Sequence, residues 1–182
     1  VSLKSGEAIS GEDIKDSGDH PVYGGNGLRG YTANFTHEGD LILIGRQGAL
    51  CGNINYAKGK FWATEHAIVA TPKVNFDVTW LGETLRAMNL NQFSQSAAQP
   101  GIAVEVVENL EIAFPPESDQ SRIAVFLHRL SVPIDELISE KQQLLALLAE
   151  KRRAVIADFL TKAVIKDVPR RDSSIPWLGE IP

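Results

Sequence analysis

Short apolar runs separated by turn-forming residues occupy the part of the chain from Val22 to Thr71. The runs are rich in β-branched and aromatic residues, and Gly, Asn or Asp bounds each of them. This pattern predicts short β-strands joined by tight turns. The expected strand segments are residues 21–25, 30–32, 41–45, 52–56 and 67–70.

The pattern then changes to a helical period. Val78, Leu81, Leu85 and Met88 form one apolar stripe, which predicts a helix over residues 77–88 with a cap near its start. The polar residues 89–101 predict a surface loop. Residues 110–114 predict one more short strand, which ends before two consecutive prolines at 115–116.

The last long segment carries the period of a coiled coil, with apolar residues at alternating intervals of four and three. We call the row of positions at these intervals the seam. Lys141 and Lys151 also lie on the seam and weaken its packing. Pro133 predicts a kink or break between a helix over residues 119–130 and a long helix over 133–165. The residues expected to face a partner helix are Ile123, Leu127, Leu130, Ile134, Leu137, Leu144, Leu148, Val155 and Phe159.

The long helix requires a partner. It would run roughly 50 Å at about 1.5 Å per residue, and a domain of about 115 residues cannot cover such a seam while burying its own strands. The partner helix comes from another chain or from a missing part of this one. We therefore predict an α+β protein: a compact β-rich domain with a few helices over residues 1–116, a coiled-coil-forming helical region over 117–166, and a linker over 167–182.

Composition narrows the class of protein. The chain has 182 residues, of which 43% are hydrophobic and 23% charged, as in ordinary globular proteins. It holds one cysteine, which excludes an internal disulfide, and no apolar run reaches the ~18 residues of a membrane span. We expect a cytoplasmic protein without a membrane segment. The formal net charge of −5 argues against a generic polyanion binder.

The charge is unevenly distributed along the chain. Residues 1–116 hold 8 Lys and Arg against 13 Asp and Glu. Between residues 28 and 73, however, five basic residues face three acidic ones and are interleaved with Tyr and Phe residues and one Trp. A local basic and aromatic face is therefore compatible with the negative total.

Two sequence motifs are compatible with a nucleotide-binding or a catalytic function. Residues 25–30 match G-x-G-x-x-G, but they lead into another turn rather than a helix, so tight hairpins explain these glycines better than a nucleotide site. Cys51 and His66 resemble a nucleophile and its base, or metal ligands together with His37. Their spacing matches no ligand pair, so we expect a buried thiol and a hydrogen-bonded histidine, with no metal.

Several stretches together resemble one family, the DNA-specificity (S) subunits of type I restriction-modification systems. Their order and spacing match across nearly the whole chain. The stretches are PVYGGNG at 21–27, GY at 30–31, ILIGRQG at 42–48, GN at 52–53, KFWATEHA at 60–67, QPGI at 99–102, PP at 115–116, QSRIA at 120–124 and KRR at 151–153.

The resemblance implies a target-recognition domain followed by a helical conserved region. In that family a complete subunit holds two such units, whose long helices pack antiparallel, and each recognition domain reads one half of a bipartite DNA site. Residues 174–182 resemble the opening of a second recognition domain. The chain therefore looks like a half-subunit that forms a homodimer through its long helix.

The implied partners are double-stranded DNA, the modification (methyltransferase) subunit and, through that subunit, the restriction subunit. Methyl transfer and its cofactor belong in the family to the modification subunit, so we expect no cofactor and no catalytic residue in this chain.

Loop donors that can read base edges or phosphates are the candidate DNA contacts. The candidates are Arg29, Tyr31, Arg46, Gln47, Lys58, Lys60, Lys73, Asn91, Gln92, Ser94, Gln95 and Ser96. Two alternatives stay open from the residues alone. One is a protein-interaction module that dimerises through its coiled coil, and the other is a hydrolase that uses Cys51 and His66.

Overall fold

The fold is that of a computed structural model, which describes residues 1–94, 100–162, 169–176 and 179–181. The chain divides into two compact units, Val1–Phe126 and Leu127–Pro182. The division at 116/117 drawn from the sequence stays a prediction, and the first unit as found also contains the start of the long helix.

The first sheet of unit one has four antiparallel strands. They are β1 (Ser2–Ser5), β5 (Leu41–Gly45), β6 (Ile54–Ala57) and β8 (Ala67–Thr71), in the order β1-β8-β5-β6. All five residues of β5 are buried, as expected for an apolar strand that has neighbours on both sides.

The second sheet has the order β3-β2-β7-β4. Its strands are β2 (His20–Gly24), β3 (Gly27–Thr32), β4 (His37–Glu38) and β7 (Lys60–Ala63). Strands β2 and β3 form a hairpin around residues 25–26, whereas β2 and β7 run parallel. The glycines of the G-x-G-x-x-G match therefore build a hairpin, as predicted: Gly27 has φ +96°, a conformation that other residues adopt at a cost.

Helix α1 (Val78–Ala87) closes one face of the first sheet. Asp77 caps it by accepting a hydrogen bond from the Trp80 N–H, and Trp80, Leu81 and Leu85 are buried. The predicted apolar stripe is thus confirmed. Gly82 allows α1 to lie directly against β6, because a Cβ at this position would collide with the ring of Tyr56 on β6.

The segment after α1 differs from the sequence-based prediction. A short helix α2 (Val104–Glu108) forms between the predicted loop and the predicted strand, where no element was expected, and residues 110–114 are not a strand. Leu110 and Ile112 instead pack against the core of the first sheet and α1. The prediction was wrong because the apolar residues of this segment are buried one by one against the core and do not pair with a sheet edge.

Helix α3 (Glu117–Lys162) continues through Pro133. The expected break was wrong, whereas the alternative of a kink at Pro133 stays a prediction. A proline removes one backbone hydrogen bond and costs about 3 kcal/mol, but the residues around it are exposed, so water can satisfy the freed carbonyl group. Helix-forming residues on both sides then keep the segment helical.

The first turns of α3 are anchored within unit one. The fully buried Gln120 accepts a hydrogen bond from the Asp77 N–H at 2.9 Å and donates to the Pro115 carbonyl group at 2.8 Å. Ala124 is buried on the same helix. This amide therefore joins the start of α3 to the cap of α1.

Unit two contains the rest of α3 and an antiparallel pair of two-residue strands, β9 (Arg171–Asp172) and β10 (Glu180–Ile181). Two small sheets followed by a long helix confirm the α+β class. None of the helices in the described parts of the chain is long and apolar enough to cross a membrane.

Candidate nucleic-acid interface

The strand directions of unit one bring several loops to one end of its two sheets. Gly45, the last residue of β5, pairs with Ala67 at the start of β8, and the end of β2 pairs with the end of β7 at Tyr23 and Ala63. The segments that follow β2, β5 and β7 therefore meet at this end. We call residues 25–26, 46–53, 64–66 and 100–102 the loop cluster.

Glycines allow the backbones of the cluster to touch. A Cβ on Gly25 would lie 2.8 Å from the His66 carbonyl oxygen and 3.2 Å from that of Gln47, and a Cβ on Gly45 would collide with the Gly25 carbonyl group. Backbone packing at these distances leaves no room for a side chain. The hairpin tip is thereby held against the loop that carries Gln47.

Backbone hydrogen bonds fix the loop after β5 on both sides. The Arg46 N–H donates to the His66 carbonyl group at 2.8 Å, and the Arg46 carbonyl group accepts from the Ile102 N–H at 2.9 Å. The Gly48 N–H donates to the Pro100 carbonyl group, also at 2.9 Å. Residues 46–48 thus form a short, strand-like link between residue 66 and residues 100–102 and carry their side chains on a fixed backbone.

Polar side chains contact one another across the cluster. The Asn53 Nδ2 donates to Asn26 Oδ1 at 3.2 Å, and the His66 Nδ1 lies 2.9 Å from Gln47 Oε1. His66 Nε2 also lies 3.2 Å from Glu65 Oε1. The cluster therefore exposes amide, imidazole and carboxylate groups side by side.

Four of the sequence-predicted DNA contacts lie in or beside the loop cluster. Arg46 and Gln47 belong to it, Ser94 accepts a hydrogen bond from the Gly101 N–H, and Asn91 donates to the Cys51 carbonyl oxygen at 3.0 Å. Asn91 serves the structure of the loop, because its Nδ2 also lies 3.2 Å from the Cys51 sulfur.

Arg29 reaches the same end along the hairpin. Its Cδ lies 2.6 Å from the position that a Cβ on Gly24 would occupy. Gln92 is exposed, and its Nε2 donates to the Met88 carbonyl group. The predicted contacts Gln95 and Ser96 lie outside the described residues.

The other four candidates lie at the opposite ends of the same strands. Tyr31 pairs with Pro21 at the start of β2, Lys60 begins β7, and Lys58 and Lys73 follow the ends of β6 and β8. The Lys60 ammonium group lies 4.6 Å above the ring of Phe35. The structure therefore does not place these four residues with Arg46 and Gln47.

Three residues of the cluster were absent from the predicted contacts. Asn26 and Asn53 stand beside turn glycines, and His66 was expected only to be hydrogen-bonded, which it is. The signal for the asparagines was an amide next to a glycine, which is also the ordinary composition of a tight turn. The sequence alone does not distinguish an asparagine that only builds a turn from one that lies in the loop cluster. The packing of the hairpin tip on the neighbouring loop makes this distinction.

The residues considered for catalysis are used differently. Cys51 is buried and contacts Asn91, whereas His66 contacts Gln47 and Glu65. Burial raises the pKa of Tyr23, with a smaller contribution from Tyr31, so Tyr23 stays neutral at ordinary pH. Within the described ranges, no group of three or more His, Cys, Asp or Glu residues is placed to hold a metal ion.

The family model for the type I restriction modification DNA specificity domain matches residues 1–147. The chain belongs to this family. The match covers unit one and continues into α3, so it includes the loop cluster and both small sheets.

Curated relatives agree with this assignment. The chain is 41% identical over 133 residues to the type I restriction enzyme EcoprrI specificity subunit of Escherichia coli, covering 71% of this chain and 33% of that protein. It is 32% identical over 126 residues to a putative type I restriction enzyme specificity subunit of Haemophilus influenzae, covering 68% of this chain and 33% of the relative. The chain therefore spans about a third of the length of these relatives.

Solved structures share the fold. A type I restriction-modification S subunit from M. genitalium superposes with a TM-score of 0.66 at 19% identity, over 90% of this chain and 44% of that one. A chain from a structural study of type I R-M complex assembly gives a TM-score of 0.62 at 17% identity, over 86% of this chain and 42% of the other. At these identities the likeness concerns the fold.

Proposed function

We propose that this chain reads one half of a bipartite DNA site as the non-catalytic specificity component of a type I restriction-modification complex. The observation that carries the proposal is the loop cluster of a specificity-family domain, which presents Arg46 and Gln47 on a backbone fixed from both sides. Arg suits the two acceptors of guanine, and amide side chains suit the base edges of the major groove.

The cluster supplies the chemistry of recognition rather than of bond breaking. Arg29 and Arg46 offer donors to phosphates or guanines, and Asn26 and Asn53 add amide groups within the loop cluster. The domain as a whole is acidic, with 8 basic against 13 acidic residues over residues 1–116. Further phosphate neutralisation by a partner is therefore part of the proposal.

We propose that this partner is a modification (methyltransferase) subunit, through which the chain joins a restriction subunit. The relatives are named as specificity subunits of type I restriction enzymes, which supports an assembly of this kind. A cytoplasmic location, where such a complex would meet cellular DNA, is part of the proposal. Methyl transfer is left to the partner, so the chain itself needs no cofactor.

We also propose that α3 pairs with the α3 of a second copy. Eight of the nine predicted seam residues are exposed, from 41% at Ile123 to 59% at Phe159, and Leu127 is half-buried. A row of apolar side chains this long is stabilised when another helix covers it. Two identical recognition domains would then read the two halves of one site.

DNA binding of the chain, assembled with its cognate modification subunit, tests the proposal. We expect Arg46→Ala to weaken binding to a selected duplex by a factor of about 10 or more, since a good bidentate contact contributes roughly 1–3 kcal/mol. Lys73→Ala, at the opposite end of the strands, is the matched control for loss of one positive charge. Fluorescence anisotropy at fixed salt measures both affinities.

The same experiment distinguishes DNA recognition from the alternative function, a protein-interaction module. If the wild-type complex binds no duplex at low salt, the DNA proposal fails, and a protein-interaction module that dimerises through α3 is favoured. Equal losses in Arg46→Ala and Lys73→Ala would place the contact away from the loop cluster.

A further inference from the structure

Gln47 is exposed, yet one end of its side chain is already engaged. The backbone around it is fixed through Arg46 and Gly48, and its Oε1 lies 2.9 Å from His66 Nδ1. An amide has a donor end and an acceptor end. The contact with His66 therefore decides which end remains available to a ligand.

His66 is itself oriented by its neighbour. Its Nε2 lies 3.2 Å from Glu65 Oε1, so its two ring nitrogens face oxygen atoms of two different side chains. His66 and Glu65 each expose 41% of their side chains, so they stand at the surface with Gln47. The tautomer that carries a hydrogen on Nδ1 donates it to Oε1, and the amide then directs its Nε2 away from His66.

We propose that His66, oriented by Glu65, is a positioning residue that fixes the amide of Gln47, and that Gln47 reads a guanine by donating from Nε2 to N7 and O6. The inference rests on the DNA-recognition function proposed above. Guanine is the base whose major-groove edge offers two adjacent acceptors. A freely rotating glutamine would instead suit adenine, because it would offer one donor and one acceptor.

A pair of substitutions at residue 66 tests the direction of the amide. Asn and Asp both place a polar atom at about the position of the histidine Nδ1, but Asn can offer a donor there and Asp offers only an acceptor. His66→Asn keeps the donor to Gln47 Oε1. His66→Asp makes the amide donate inward and turns Oε1 outward.

The measurement is selection from a randomised duplex library by the chain with its cognate modification subunit, followed by affinities for single-base variants of the selected site. We expect wild type and His66→Asn to prefer guanine at one position by a factor of about 10 over adenine or cytosine. His66→Asp is expected to lose that preference in favour of a base that presents a donor. His66→Ala is expected to relax it, and Gln47→Ala to abolish it.

Thermal unfolding of each variant shows whether the domain remains folded, and preferences at the other positions of the site serve as the internal control. The inference fails if His66→Asn and His66→Asp select the same base at every position. It also fails if Gln47→Ala weakens binding equally for all sequences, because Gln47 would then contact a phosphate. If the wild-type complex selects no sequence, the proposed function fails, and this inference fails with it.

Discussion

His37, on β4, shows how partial burial shifts the pKa of one side chain. Its ring stacks on Phe61 with centroids 5.6 Å apart, and its Nδ1 lies 2.7 Å from the hydroxyl group of Thr36. Burial lowers the pKa of His37, while the negative charge of Glu7 opposes this shift to a smaller extent. The folded domain therefore favours the neutral ring, whose Nδ1 lies within hydrogen-bond distance of the Thr36 hydroxyl group.

The lowered pKa predicts a stability that depends on pH. Below about pH 6.5 the unfolded chain binds a proton that folded His37 resists, so the free energy of unfolding falls as the pH decreases towards 5. We expect His37→Gln, which cannot titrate, to show a smaller drop in Tm between pH 7.5 and 5. His128→Gln, on the exposed surface of α3, is the control and should behave as wild type. Parallel Tm curves for wild type and His37→Gln would contradict this account.

At the scale of elements, the hairpin β2–β3 depends on one close approach. Gly25 lies against the carbonyl groups of His66 and Gln47, and its φ is outside the left-handed region, so only space restricts the residue. The Cβ of an alanine there would lie 2.8 Å from the His66 carbonyl oxygen, so the hairpin tip or the facing backbone would have to shift. Recognition residues need to be held within about 0.5 Å, so this shift is expected to weaken binding as well as folding.

We therefore expect Gly25→Ala to weaken binding to the selected duplex about tenfold and to lower the free energy of unfolding by about 1–3 kcal/mol. Gly11→Ala is the matched control, because no atom lies within 4 Å of its added Cβ. Anisotropy and urea denaturation measure the two effects. An affinity of Gly25→Ala equal to that of Gly11→Ala would show that the hairpin tip does not position the loop cluster.

The elements differ in how well the sequence predicts them, and local energetics explain why. Helix α1 has a cap at Asp77 and a regular apolar stripe, and β5 is a continuous apolar run, so each is determined by its own residues. Helix α2 is only five residues long and rich in valine, a composition that favours a strand. Its conformation is stabilised by burying Val107 in the core, a contact that sequence periodicity does not reveal.

At the scale of the molecule, the candidate site could be predicted only in part. Arginines and glutamines on glycine-flanked loops were recognisable by their donors, which identified Arg29, Arg46 and Gln47. The separation of these residues from Lys58, Lys60 and Lys73 depends on strand direction and register. Net charge was a poor guide for the same reason, because recognition depends on where charges lie and not on their total.

The row of exposed apolar side chains on α3 connects the single chain with the proposed assembly. Seam lysines are unfavourable in the centre of a helix pair, because covering their charges costs desolvation energy. Lys141 lies on the seam between Leu137 and Leu144. Replacing it with leucine should therefore strengthen pairing, whereas an added charge at a leucine position should weaken it.

We expect the 182-residue chain to associate with itself, Lys141→Leu to lower the dimer dissociation constant by about tenfold or more, and Leu144→Glu to raise it by a similar factor. Val125→Glu is the matched control, since Val125 is 60% exposed but lies off the seam. Sedimentation equilibrium gives the constants, and circular dichroism confirms that each variant remains helical. A monomeric mass for wild type and Lys141→Leu at micromolar concentration would exclude pairing between copies, because the variant most favourable to association would then have failed to associate.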